Sequence, residues 1–432
     1  MSTKLRLIIM SFLQFAVWGA YLTSMGSYLV SINQGSHIGL FYAVQGIVSM
    51  FMPALIGIVA DRWVPAQKLY SFCHLIAGIF MAATGYYGYG SGMDVQFPIL
   101  FTLYTVSVAF YMPTLALSNS VAYSVLDKAG LDTIKAFPPI RIFGTIGFIC
   151  AMLFVDVTGY QHTYAQFFSS AILGVILAIY AILSLPNIAI IKSTTGEKKS
   201  FAESLGLNAF KLFKNKKMAL FFIFSILLGV SLQITNGFAN PFITSFKAIP
   251  EFADSFGANH ANALISLSQM SETLCILLIP FFLSRFGIKK VMLIAMVAWA
   301  LRFGLFGAGD PGANVWMFVL SMIVYGVAFD FFNISGSLFV DKETTASIRS
   351  SAQGLFMLMT NGLGATIGTL GAQVVVNRYT HSINYEGSFY TVGDWSSIWY
   401  IFAAYALIVA ILFAVIFKYK HNPKAVSETL NR

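Results

Sequence analysis

Long apolar runs follow one another along almost the whole chain, broken by short polar stretches. Each is near the roughly 20 residues that a helix needs to cross a bilayer. They predict membrane-spanning helices over residues 5–30, 38–60, 69–90, 96–123, 138–157, 164–185, 218–245, 258–284, 289–308, 313–340, 350–376 and 396–417, about twelve in all. The runs are continuous rather than alternating in short segments, which favours helices over a barrel. Several exceed the length of a span, which predicts tilt or protrusion.

The longest polar interruption, 186–217, divides the spans into two sets of six. It predicts an N-terminal half over 1–185, a linker over 186–217, a C-terminal half over 218–420 and a tail over 421–432. From Ser200 on, Phe201, Leu205, Ala209, Leu212 and Phe213 share a helical face beside Lys211, Lys214, Lys216 and Lys217. That pattern suits a helix lying on the lipid surface and equally a helix packed beneath the spans. Two six-helix halves joined in this way form the layout of secondary transporters, which work around a midplane site.

Composition agrees. The chain is 57% hydrophobic and 10% charged, where a soluble protein carries about 25% charged residues. The net charge of +9 raises nucleic acid as a partner, but its placement argues otherwise. With the N-terminus placed in the cytoplasm, only Lys247 and Arg378 of the 26 Lys and Arg fall in outer loops, and only Arg141 and Arg302 lie in spans away from their cytoplasmic ends. This positive-inside pattern places both termini in the cytoplasm and needs no nucleic acid to explain it. The first apolar run continues past signal-peptide length and is expected to be a span. Cys73, Cys150 and Cys275 all lie in spans, and their spacing suggests packing rather than disulfide or metal chemistry.

Charges at membrane depth line cavities or pair with one another. Here they are Arg141, Glu272, Arg302 and Asp330. Arg141, Thr145 and Phe148 share a face at i, i+4 and i+7. Gly229, Gln233, Asn236 and Asn240 form a second stripe, and Ser268 and Gln269 flank Glu272. Gly326, Asp330, Asn333 and Ser337 form another, bordered by Tyr325 and Phe329. A single polar residue in a span can be helix glue, and Asn236, Asn240, Asn333 and Ser337 could each serve that way. Four stripes point instead to a polar cavity. Arg302 lies near an outer end and is expected to snorkel or pair. His74 is expected to be a packing histidine. Most of the 41 phenylalanines face lipid or core, with Phe331 and Phe332 among them, while Phe148, Tyr325 and Phe329 border the stripes. Aromatic faces stack on flat rings, and Gln, Asn, Arg and carboxylates satisfy hydroxyls or a base edge. A nucleoside fits such a cavity; a sugar fits it less well, and an organic cation conflicts with Arg141. No metal motif or nucleophile–base pair is present to suggest an enzyme.

GIVADRW (57–63) resembles the G-x-x-x-D-R signature of the major facilitator superfamily. It implies a cytoplasmic gate at Gly57, Asp61 and Arg62, with the glycine allowing close helix contact. The second half departs from that pattern, with Ser284 where an acid is expected. FPPIRIFGTIGF (137–148), LQITNGF (232–238), SQMSETL (268–274) and YGVAFDFFNISGS (325–337) closely resemble the bacterial nucleoside:proton symporters of that superfamily. FMPALIGIVADRW (51–63), FYMPTLAL (110–117), FKNKKMALFFIFSILLG (213–229) and IRSSAQG (348–354) do so too. The resemblance weakens in the linker, the outer loop around 378–395 and the tail.

It implies an all-α major facilitator fold in the bacterial inner membrane that imports purine and pyrimidine nucleosides with protons. Such a protein would be a monomer in the lipid bilayer, with no cofactor beyond the coupling proton. The resemblance carries substrate binding onto Arg141, Thr145, Phe148, Gln233, Asn236, Gln269, Glu272, Tyr325, Phe329 and Asp330. Phe148, Tyr325 and Phe329 would sandwich the base at midplane, between the halves. Asp330 is the first choice for the proton carrier and Glu272 the second. The alternatives are a related solute (a nucleobase, modified riboside or sugar) or a sensor that binds without transporting.

Overall fold

The computed structural model describes residues 2–186, 207–345 and 348–419. The side chains of Asp61 and Arg62 lie outside the described residues. So do residues 187–206, which include Phe201 and Leu205 of the expected surface helix, and the tail from 420 on. The chain forms two compact units: Met1–Leu205 with Glu386–Phe389, and Gly206–Tyr385 with Tyr390–Arg432. Among the described residues, ten helices are long and apolar enough to cross a membrane.

The first unit holds α1 (Thr3–Gly19), α2 (Met25–Ser31), α3 (Ile38–Arg62), α4 (Ala66–Ser91), α5 (Phe97–Lys128), α6 (Thr133–Val157) and α7 (Ala165–Ser184). The expected single span over 5–30 is broken between α1 and α2. A break inside a bilayer frees backbone groups that need new partners, and the Tyr42 hydroxyl donates to the Leu22 carbonyl there. α1 packs on α6 and α7, and α4 on α5 and α7. The α1–α6 crossing depends on Gly147, where a β-carbon would collide with the Phe12 backbone. α7 shows the polarity of the fold. Ser170, Ala171, Gly174, Leu177, Ala178 and Ala181 are buried, while Ile172, Ile176, Ile179, Ile182 and Leu183 are exposed. Large aliphatic side chains outside and small residues inside suit lipid as the solvent.

The second unit holds α8 (Lys216–Leu232), α9 (Ile234–Ser245), α10 (Ala261–Ala308), α11 (Val315–Glu343), α12 (Arg349–Met357), α13 (Ala365–Tyr379) and α14 (Trp395–Ile416). The expected span over 218–245 is therefore interrupted at Gln233. α10 contains two expected spans, parted at Gly287, whose φ of 78° and ψ of 167° leave the helical region. That conformation is open to glycine, and it falls among the charges Arg285, Lys289 and Lys290. Leu358–Gly364 forms a π-helical segment joining α12 to α13. The stretch around 378–395 is more ordered than a loop. β1 (Thr380–Tyr385) and β2 (Ser388–Gly393) pair as a hairpin. Glu386 and Gly387, both at positive φ, supply the tight turn that matches strand twist.

Of the amphipathic linker segment, Leu207–Lys214 is a 3-10 helix. Ala209 is buried, and the Phe213 ring lies 5.3 Å from that of Phe222 on α8. This described part packs on the second unit's own helices. Two ion pairs follow at the ends of nearby helices. Lys217 Nζ meets Glu343 Oε1 at 2.5 Å, and Arg349 Nε meets Asp341 Oδ1 at 2.8 Å.

Candidate functional site

In the first unit α6 is helical throughout 133–157, so Arg141, Thr145 and Phe148 do share one face. Arg141 and Thr145 are half-buried, and Phe148 is buried. Because α1 crosses α6 so closely, its side chains reach this face. The Arg141 guanidinium carbon lies 3.8 Å from the centre of the Phe15 ring, a distance at which the ring face attracts the cation. Trp18 meets Phe148 edge-on, with ring centres 6.2 Å apart. The sequence stripes had missed Phe15 and Trp18. Neither belongs to a polar stripe, and only the helix crossing brings them to Arg141 and Phe148.

His74 is fully buried, with Nε2 2.8 Å from Gln14 Oε1. Gln14 also accepts from Tyr70 and donates to Thr114. His74 thus belongs to a polar knot inside the first unit, as a packing histidine would.

In the second unit the stripes divide. Over residues 231–245 every residue is buried except Gln233 and Asn236. Asn236 Nδ2 donates to Gln233 Oε1 at 2.8 Å across the helix break. Such interrupted helices present polar groups at membrane depth in transporters. The ends of the same stripe are structural. Asn240 is buried and donates to Asn262 Oδ1 at 2.7 Å. Gly229 lies against the backbone of the π segment, where a β-carbon would sit 2.9 Å from Thr360 Cα.

α10 and α11 pack extensively. Gly326 makes their approach possible, since a β-carbon there would lie 2.6 Å from the Ser271 carbonyl oxygen. Gly326 is therefore a packing position rather than part of the cavity stripe. The crossing brings Gln269 and Glu272 up to Tyr325 and Asp330. The Gln269 side chain hydrogen-bonds the Tyr325 hydroxyl, and the Glu272 charge acts on both Tyr325 and Asp330. Tyr325 and Phe329 stack with centres 5.5 Å apart and planes 15° from parallel. Asp330 is 5% exposed, and its Oδ2 has no hydrogen-bond partner. No Lys or Arg lies within the 4.0 Å ion-pair distance of it among the described residues. A proton on Asp330 removes a buried charge beside a second carboxylate. Phe329 is half-exposed while Phe331 and Phe332 are buried, as the sequence had divided them.

Other expectations need correction. Ser268 does not line a cavity with Glu272; it is buried against Met322 and Arg302. Asn333 donates back to the Phe329 carbonyl, and Ser337 pairs with Gln353. Arg302 does not snorkel, and among the described residues it finds no acid. It is buried and donates to the Ser321 carbonyl at 2.7 Å. At Gly57 a β-carbon would meet nothing within 4 Å among the described residues. α3 packs chiefly on α5 and only slightly on α4. Cys73 and Cys275 are buried packing residues, but Cys150 is exposed.

Comparison with known proteins places this geometry. The family model described as "Nucleoside H+ symporter" matches residues 1–422. The nucleoside permease NupG of Escherichia coli (strain K12) is 49% identical over 427 residues, covering 98% of this chain and 97% of that protein. The xanthosine permease of the same organism is 47% identical over 432 residues, covering 99% and 98%. A crystal structure of the nucleoside transporter NupG superposes with a TM-score of 0.86 at 48% identity, covering 97% of this chain and all of that one. An auto-inhibited POT family peptide transporter shares the fold at a TM-score of 0.65 and 14% identity, covering 97% and 98%.

Proposed function

The chain belongs to the nucleoside H+ symporter family, and from that premise we propose that it imports nucleosides together with protons across the bacterial inner membrane. The observation that carries this reading is the family match over nearly the full length. The relatives named for nucleoside and xanthosine transport extend just as far. The site chemistry supports it. Phe148 in the first unit and the stacked Tyr325–Phe329 pair in the second offer faces for a base. Gln233 and Asn236, the two open positions of an otherwise buried stretch, offer donors and acceptors to ribose hydroxyls or a base edge. Gln269 and Glu272 add to that set. In the first unit, Arg141, seated on Phe15, and Thr145 offer polar groups on the same face as Phe148.

Asp330 carries the proton in this reading. Protonated, it is neutral and can donate a hydrogen bond to substrate. Once deprotonated, it leaves a second negative charge beside Glu272, which disfavours retention of substrate and favours its release. Glu272 is the second candidate for the same role. The test is accumulation of labelled uridine in proteoliposomes under an imposed pH gradient, acidic on the entry side. Accumulation that collapses with a protonophore is the expected result. Specific uridine binding without accumulation would instead make the protein a sensor.

A second reading is a transporter that prefers xanthosine. It rests on the 47% identity to the xanthosine permease, close to the 49% to NupG. Competition of uridine uptake by xanthosine, inosine and adenosine separates the two: a broad nucleoside importer is inhibited by all three, a xanthosine transporter by xanthosine far more than the others.

A further inference from the structure

Arg302 has no part in the mechanism above, yet it is one of the most deeply buried large side chains in the molecule. Its Nη1 donates to the Ser321 carbonyl at 2.7 Å and to the Ser268 hydroxyl at 3.4 Å. Ser321 Oγ donates back to the Arg302 carbonyl at 3.0 Å. These contacts bind α10 to α11, but they leave the cation without an anion. No carboxylate lies within the 4.0 Å ion-pair distance among the described residues, and Nε has no hydrogen-bond partner.

Burying a guanidinium costs several kcal/mol of desolvation. An apolar residue of similar volume would pack the same space without that penalty, so packing alone does not account for an arginine. What the charge meets instead is an aromatic face. The guanidinium carbon lies 4.6 Å from the centre of the Tyr325 ring and 5.3 Å from that of Phe306. Trp299 closes on Tyr325 edge-on at 5.9 Å, and Tyr325 in turn stacks on Phe329. The ring is thus restrained by a cation, an indole edge and a parallel phenyl.

We propose that Arg302 is a positioning residue for nucleoside recognition: its buried guanidinium sets the plane of Tyr325, and through Tyr325 that of Phe329, for stacking on the base. The proposal rests on the reading of Tyr325 and Phe329 as base-binding residues. Arg302 itself does not touch substrate. Its influence passes through one ring, which makes the claim separable from a general structural role.

The test is a double-mutant cycle on uridine affinity, measured by calorimetry on purified full-length protein. The variants are Arg302→Met, Tyr325→Leu and the two combined. Arg302→Met is expected to weaken uridine binding about tenfold, the scale of a desolvated cation–π contact. In the Tyr325→Leu background the same change is expected to have almost no further effect. Losses that multiply overturn the proposal. If Arg302→Met fails to fold, Arg302→Lys takes its place in the cycle; it keeps the charge but loses the planar contact, and the same criterion applies.

A second measurement needs no substrate. With 3-fluorotyrosine at position 325, the fluorine resonance is expected to shift and broaden in the Arg302 variant, and an unchanged resonance overturns the proposal. Wild-type protein that binds no nucleoside defeats the site reading instead, while the fluorine signal still decides whether Arg302 positions the ring.

Discussion

Asn236 donates a 2.8 Å hydrogen bond to Gln233 across the point where α8 gives way to α9. The two side chains are held together at the only open positions of a buried stretch. Asn236→Leu is expected to weaken uridine binding by about 1–3 kcal/mol, roughly 5- to 150-fold, because it removes a donor from a polar cluster. The melting temperature should hardly move, since the residue is not part of the packed core. Calorimetry with a thermal-shift control checks both halves of the statement. Unchanged affinity would remove these residues from the substrate set.

The two carboxylates of the second unit separate by function. Asp330→Asn is expected to abolish gradient-driven accumulation of uridine while leaving uridine exchange across the membrane, because a permanently neutral group can bind but cannot couple. Glu272→Gln is expected to keep coupled accumulation with a raised KM. Proteoliposome uptake with and without the pH gradient distinguishes them. The opposite pattern would transfer the proton to Glu272.

Gly229 and Gly57 make a contrasting pair. Gly229→Ala places a methyl group against the backbone of Thr360 and Gly364, and overpacking of this kind costs about 1–3 kcal/mol. Gly57→Ala meets no atom within 4 Å among the described residues and is expected to leave the melting temperature unchanged. Thermal unfolding in detergent checks both, and equal effects would contradict the packing described.

Lys217 is paired with Glu343 at 2.5 Å and lies 4.7 Å from the Tyr419 ring centre. The pair is partly exposed, so Lys217→Ala is expected to cost at most about 1 kcal/mol. The loss should shrink in concentrated salt, which screens the wild-type pair. A melting difference between wild type and variant that is independent of salt would assign the effect to packing on Phe339 and Tyr419.

The spans and the family were legible in the sequence. Apolar run length sets span count, and helical period sets which residues share a face. Helical period says nothing about what covers a face. Asn240 and Asn236 lie on one stripe, yet Asn262 closes over the first and not the second. The break at Gln233 carries no proline or glycine at the break itself, while Pro241 sits inside α9 without ending it. Position along α10 alone makes Arg302 resemble a snorkelling residue. The Ser321 carbonyl and the Tyr325 ring that hold it belong to α11. The hairpin could have been found, since Glu386-Gly387 lies between two stretches that include Ile383, Tyr385, Phe389 and Tyr390.

The burial of α9 has a consequence for redesign. With Asn240 tied to Asn262 and its other neighbours enclosed, this helix and the break before it offer only Gln233 and Asn236 as places where a changed side chain alters the cavity before it disturbs the scaffold. A search for altered selectivity on this part of the chain can therefore be confined to that pair. Changes at the residues between and beyond them would be filtered first by whether the protein still assembles in the membrane.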